Sequence, residues 1–102
     1  MSRVARFLFD DSGDAFAFVR GRYVHGLDGR ALAQVSGSQV HLLSGEHVGE
    51  IYGDMVVDRD NGSYGAIAPA AIPARATAPA DPGNRGLREV TYRDVSRHLL
   101  SP

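Results

Sequence analysis

The sequence is notable first for what it lacks. The 102-residue chain has no cysteine and no tryptophan, and all of its basic residues are arginines. Without thiols it can form neither a disulfide nor a thiolate metal site, so its stability must come from packing and backbone pairing. No apolar run is long enough for a secretory signal or a membrane span. We therefore expect a cytoplasmic protein with no membrane partner.

The sequence also lacks an excess of charge of either sign. Eleven arginines are set against twelve acidic residues, which gives a formal net charge of −1 at pH 7. A nucleic-acid-binding domain usually carries a clear excess of basic residues on one face or along one segment. The balance here predicts that nucleic acid is not a partner.

What the sequence does contain is an internal repeat of sixteen residues that runs from about Phe7 to Ala68. Positions one period apart keep their chemical character, which indicates structural units that pack on their neighbours. Two series are branched and apolar, and one series is always small. They are Val19, Val35, Ile51 and Ile67; Leu8, Val24, Val40 and Val56; and Ala17, Ala33, Gly49 and Gly65.

Glycines punctuate the repeat every eight residues from Gly13 to Gly53. This spacing leaves about five or six residues between turns, which suits a strand and is too short for a helix. We therefore predict an all-β domain of four 16-residue antiparallel β-hairpin repeats. The hairpins would form a meander with pseudo-four-fold symmetry, shaped like a barrel or a flower.

The two-residue period of a strand predicts which face is buried. Only Ala or Gly fits where four equivalent strands crowd around one axis, so we expect the small series to point inward. The opposite face would carry one large apolar side chain or more in each repeat. This predicted outer row, which we expect to bind the C-terminal segment or a partner, consists of Phe16, Phe18, Leu32, Val48 and Tyr64.

Beyond the repeats, the composition predicts three parts: a β domain over 1–74, an Ala/Pro/Gly-rich linker over 75–90 and a short helix over 91–102. Thr91 and Asp94 are spaced like a shortened capping box, which places the helix from about Tyr92 to Leu100. Val95 and Leu99 would share its apolar side. So short a helix must dock, and we expect it on the outer row of its own sheet or of a second copy.

The turn sequences resemble those of one known family. Leu-Asp-Gly-Arg at 27–30, Leu-Ser-Gly-Glu at 43–46 and the run Gly-Glu-Ile-Tyr-Gly-Asp at 49–54 are similar to the bacterial four-fold beta flower proteins. The resemblance implies four β-hairpins around a pseudo-four-fold axis. It implies no catalytic residues, cofactor or substrate.

Three histidines are the candidates for a site. His25 and His41 are repeat equivalents and could share a metal ion or a proton, and His47 is predicted at an inward register. The equivalent positions of His25 and His41 in the other repeats are Phe9 and Val57, so a packing role is the favoured interpretation. A metal site would also need a third ligand, which the sequence does not mark.

Two function classes follow from these patterns. The favoured one is a structural or protein-interaction module that binds an unknown protein partner or a second copy through the outer row, with Val95 and Leu99. The alternative is a small-ligand or metal binder that uses the histidines. No nucleophile elbow, phosphate loop or dinucleotide fingerprint occurs, so we predict neither an enzyme nor a cofactor.

Overall fold

A computed structural model of the protein describes residues 6–58, 65–80, 82–86 and 92–100. Within these residues, eight strands form one antiparallel sheet in chain order, and a five-residue helix follows the last strand. The predicted all-β meander is confirmed. The elements are β1 Arg6–Phe9, β2 Ala15–Arg20, β3 Tyr23–Gly26, β4 Ala31–Ser36, β5 Gln39–Leu42, β6 His47–Tyr52, β7 Met55–Asp58, β8 Arg93–Asp94 and α1 Ser96–Leu100.

The sheet curls until its first and seventh strands meet. The backbone N–H of Phe9 in β1 donates to the carbonyl oxygen of Asp54, just before β7, at 2.7 Å. At its other end, β7 pairs with β8, where Val57 lies opposite Asp94. The result is a curled half-barrel with a concave inner face.

The predicted glycine turns are confirmed, and they are of two kinds. Gly21, Gly37 and Gly53 begin tight turns at φ of 63°, 61° and 65°. The wider turns at the other end of the sheet contain Gly13, Gly29 and Gly45 at φ of 89°, 88° and 103°. An L side chain is strained at such positive φ values, which is why glycine keeps the eight-residue spacing.

A β-bulge recurs once in each of the first three repeats and changes which side chains face inward. Leu8 lies opposite Ala17 but Phe9 lies opposite Ala15, so Phe16 is an extra residue without a cross-strand partner. Such a bulge breaks the two-residue alternation. The same register shift recurs sixteen and thirty-two residues further on, and the bulged residues are Phe16, Leu32 and Val48.

The bulged residues contribute to the core. Phe16 is 7% exposed and belongs to the core cluster, and Leu32 and Val48 pack against it. Their predicted position on an outer row is therefore wrong, because the bulge moves each of them to the core. Phe18 does lie on the outer face, where it is fully buried, and Tyr64 is outside the described residues. A role for these residues in binding a partner stays a prediction.

The core follows the repeat on the inner face. One branched side chain from each repeat is fully buried there, and small residues lie beside three of them. Close packing of four equivalent strands needs such small neighbours. The residues are Leu8, Val24, Val40 and Val56, with Ala17, Ala33 and Gly49.

The C-terminal helix docks on its own chain, inside the curl of the sheet. Val95 and Leu99 belong to the core cluster, at 8% and 1% exposure. The helix is shorter than predicted because Arg93 and Asp94 pair with β7 as a strand, so that α1 begins at Ser96. Its predicted seat on the outer face is wrong, since the helix covers the concave face.

Gly49 provides a test of this docking. A Cβ at Gly49 would lie 2.6 Å from the Val57 carbonyl oxygen and 2.9 Å from Val95 Cγ2. We expect Gly49→Ala to lower the free energy of unfolding by about 1–3 kcal/mol through overpacking, measured by urea denaturation. Gly65, the repeat equivalent, has open space around it, so Gly65→Ala is the control and should have little effect. Equal effects of the two changes would contradict the inward seat of the helix.

The fourth repeat departs from the other three after β7. Gly65 was predicted to join the inner small series, but it is exposed and its carbonyl oxygen lies against the outer-face residue His41. Ile67, predicted to continue a branched series, is 41% exposed. Both predictions are wrong, because a strand of mostly small residues that ends at a proline would bury little apolar surface and lose a backbone donor. The eighth strand comes instead from Arg93 and Asp94.

We call residues 65–80 and 82–86 the strap, since they cross the wide turns of the sheet in reverse order. Backbone N–H groups of the strap donate to turn carbonyls without forming any assigned helix or strand. The bonds run from Ile67 to Gly45, from Ala70 to Leu43, from Ala76 to Gly29 and from Arg85 to Gly13, at 2.8–3.0 Å. Much of the strap is the predicted linker, and the division into domains stays a prediction.

The helix content bears on the membrane question. In the part of the chain that the structure describes, no helix has the length and apolar character needed to cross a bilayer.

Candidate functional site

A groove separates the first part of the strap from two tight turns of the sheet. Its volume is about 690 Å³, which is within the usual range for ligand sites. One wall is the strap from Ile67 to Ala71, and the other is formed by residues 21–23 and 34–37. The groove is therefore bounded by backbone on one side and by turn and strand residues on the other.

Two outer-face side chains hold the strap wall in place. Gln34 Nε2 donates to the carbonyl oxygen of Ala68 at 3.2 Å and also to that of Leu42 at 3.2 Å. The ring Nε2 of His41 donates to the carbonyl oxygen of Gly65 at 3.0 Å. These bonds fix the strap at Gly65, just before the groove, and at Ala68, which lines it.

The backbone of the strap wall retains unused donors. Ile67 and Ala70 direct their N–H groups to turn carbonyls, whereas those of Ala68 and Ala71 have no acceptor among the described residues. Pro69 fixes its own φ near −65° and biases Ala68 toward extended backbone. Because N–H groups alternate in direction along an extended chain, two donors three residues apart do not form one strand edge. Each is a separate donor of the strap.

The opposite wall supplies side chains of mixed character. Tyr23 of β3 lies directly across from Gln34 of β4, so the two side chains share a face. Arg22 is exposed, and among the described residues it is the only charged one that lines the groove. The groove can thus offer hydrogen bonds, an aromatic ring and one positive charge.

The predicted histidine site is only partly assembled. His41 and His47 lie opposite each other in β5 and β6, with ring centroids 5.0 Å apart. His25 is on β3, where its ring stacks on Phe18 at 5.3 Å and its Nδ1 donates to the carbonyl oxygen of Gly29 at 2.9 Å. Within the described segments, no group of three or more His, Cys, Asp or Glu could hold a metal ion.

The predicted inward register of His47 is wrong. The bulge at Val48 shifts the register, so that His47 pairs with His41 on the outer face. Its Nε2 lies 2.9 Å from Oε1 of Gln39, whose amide nitrogen in turn donates to Glu50 at 3.2 Å. His41 is 3% exposed, and its Nδ1 is buried without a hydrogen-bond partner.

Charged contacts attach the strap elsewhere. Arg85 forms a two-pronged ion pair with Asp54, at 2.9 and 3.1 Å, and its guanidinium lies 4.9 Å from the ring centre of Phe9. In the wide turn at Gly29, Arg75 of the strap donates a hydrogen bond to the Asp28 carbonyl oxygen at 3.1 Å. The side-chain carboxylate of Asp28 accepts a hydrogen bond from the Arg30 backbone N–H, which lowers its pKa. These contacts anchor the strap on both sides of residue 81.

Sequence reasoning did not find the groove. Its strap wall lies in Ala- and Pro-rich sequence that has no periodicity, and its other wall is made largely of turn residues. One available signal was Gln34, a polar residue in the series whose first member is Phe18. The other was Pro69, which interrupts the last predicted strand.

The architecture defines a β-hairpin repeat domain in which a strap, rather than a complete fourth hairpin, covers one side. The model of the 4-fold beta flower protein family matches residues 6–100, and the chain belongs to this family. The resemblance seen in the turn sequences is thereby confirmed. No match was found among curated proteins or among solved structures.

Proposed function

We propose that this domain is a protein-interaction module that holds an extended peptide segment of a partner in the groove between the strap and the tight turns. The observation that carries the proposal is the groove itself, about 690 Å³ in volume, with free backbone N–H groups at Ala68 and Ala71 along one wall. Carbonyl oxygens of a bound peptide would accept hydrogen bonds from these donors. Tyr23 would contribute apolar contact and a hydroxyl to the bound segment.

A peptide fits the features of the groove better than a compact metabolite does. Ala68 and Ala71 are three residues apart, so an extended ligand is needed to reach both donors. The bonds that Gln34 and His41 make to the strap keep this wall in place before binding, which reduces the entropy lost on association. The location of the protein in the cytoplasm and its bacterial origin stay predictions.

Filling the groove tests the proposal. A peptide display library would be selected against the wild-type domain, and the selected peptides would then be measured against Ala71→Trp. Ala71 lines the groove and is exposed, so the indole can occupy the groove without disturbing the core. We expect Ala71→Trp to weaken binding by at least about tenfold, the equivalent of 1.4 kcal/mol.

Ala74→Trp is the matched control, because Ala74 is an exposed alanine of the same strap that does not line the groove. It should bind the selected peptides as the wild type does. Circular dichroism would establish that both variants are folded. Failure to select any peptide, or equal binding by the wild type and Ala71→Trp, would refute the proposal.

A further inference from the structure

We infer that the segment bound in the groove carries an acidic side chain, Asp or Glu, that pairs with Arg22. This inference rests on the proposed function and specifies the chemistry of the partner. It depends on Arg22, the one charged residue among the described residues that line the groove.

Arg22 provides that charge. It is exposed at the tight turn between β2 and β3, and no acidic residue of the described segments lines the groove with it. Within the described part of the chain, its guanidinium has no ion-pair partner. By contrast, Arg30, Arg85 and Arg93 each contact a carboxylate of the protein itself.

Neighbouring charges do not neutralise Arg22. Glu50 of β6 is three strands away from β3, which follows Arg22, and it accepts a hydrogen bond from Gln39. Arg20, on the same hairpin, lies with its guanidinium 5.6 Å from the ring centre of Phe18. A cationic group at the mouth of a groove attracts a negatively charged ligand and repels a positively charged one.

The shape of the groove favours an acidic side chain over a chain terminus. Arg22 belongs to the wall opposite the strap, whereas the free N–H groups belong to the strap. A bound segment whose main chain accepts hydrogen bonds from the strap would present a side chain, and not its main chain, to the opposite wall where Arg22 lies. A guanidinium can bind such a carboxylate through two parallel hydrogen bonds.

The experiment compares the peptides selected by charge variants of the domain. The library displays peptides with no free C-terminus, so that any carboxylate comes from a side chain. We expect the wild type to enrich Asp or Glu at one peptide position and Arg22→Glu to enrich Lys or Arg there. Replacing that Glu by Gln in a synthetic, amidated peptide should weaken binding to the wild type about 2- to 5-fold.

Arg97→Glu is the matched control, because Arg97 is an exposed arginine of α1 that does not line the groove. It should retain the acidic preference of the wild type. Two outcomes would overturn this inference and leave the proposed function standing. In both, Ala71→Trp abolishes peptide binding; in the first the peptides show no acidic preference, and in the second Arg22→Glu selects the same acidic peptides as the wild type. A second library would display peptides with free C-termini. If only these peptides bind, the carboxylate comes from the chain terminus and the inference is overturned. Peptides insensitive to Ala71→Trp would refute both proposals.

Discussion

Leu99→Ala is expected to lower the free energy of unfolding by about 2–4 kcal/mol, the usual cost of removing a buried leucine side chain from a core. Leu99 is 1% exposed. It packs in one core cluster with the branched residues Leu8, Val24, Val40 and Val56. A short helix has little stability of its own, so its contribution depends on this contact. The measurement is urea denaturation followed by circular dichroism, with the midpoint and slope compared with the wild type.

Leu100→Ala provides the control for this prediction. Leu100 is the next residue of the same helix and is 52% exposed, so its truncation should change stability by less than about 0.5 kcal/mol. Helix propensity changes equally in the two variants, and the difference between them isolates the docking contact. Similar small effects from both would mean that the helix is not part of the cooperative core.

Gly29→Ala is expected to lower the free energy of unfolding by about 2–4 kcal/mol, for two reasons that add. Gly29 has a φ of 88°, which strains any L side chain. A Cβ there would also overlap the carbonyl oxygen of Ala76 in the strap. The strap must therefore move away, and the bond from the Ala76 N–H to the Gly29 carbonyl oxygen would be lost.

Gly37→Ala separates the two reasons. Gly37 also has a positive φ, 61°, but nothing lies within 4 Å of the position of its Cβ. Its replacement should cost only the backbone strain, about 1 kcal/mol. Hydrogen exchange at the Ala76 amide should accelerate in Gly29→Ala and stay unchanged in Gly37→Ala. If both variants lose the same stability and keep Ala76 protected, the strap does not depend on the close approach at Gly29.

Much of the fold could be predicted because the repeat shows in the types of residue at regularly spaced positions. Glycine every eight residues marked the turns, and a small residue every sixteen marked the crowded inner positions of the first three repeats. The bulges could not be predicted in the same way, because one inserted residue puts the side chains before it on the face opposite to the one that the alternation predicts. For this reason Phe16 was predicted on the outer face and His47 on the inner one.

The candidate site was harder to predict than the scaffold. The strap is held by single backbone bonds to turn carbonyls, and such bonds leave no periodic pattern in the side chains. The groove arises only where Ala68 and Ala71 lie across from Arg22 and Tyr23. Residues so far apart in the chain, in turns and in Ala-rich sequence, carry no local signal that they meet.

The spacing of the strap contacts limits how this fold can change in evolution. Ile67, Ala76 and Arg85 bind successive wide turns, so each hairpin crossed takes up nine residues of strap, whereas each hairpin itself takes sixteen. A duplication or deletion of one hairpin would therefore leave the strap too short or too long by one such step. The number of hairpins can change only if the sequence that encodes the repeat and the sequence that encodes the strap change length together.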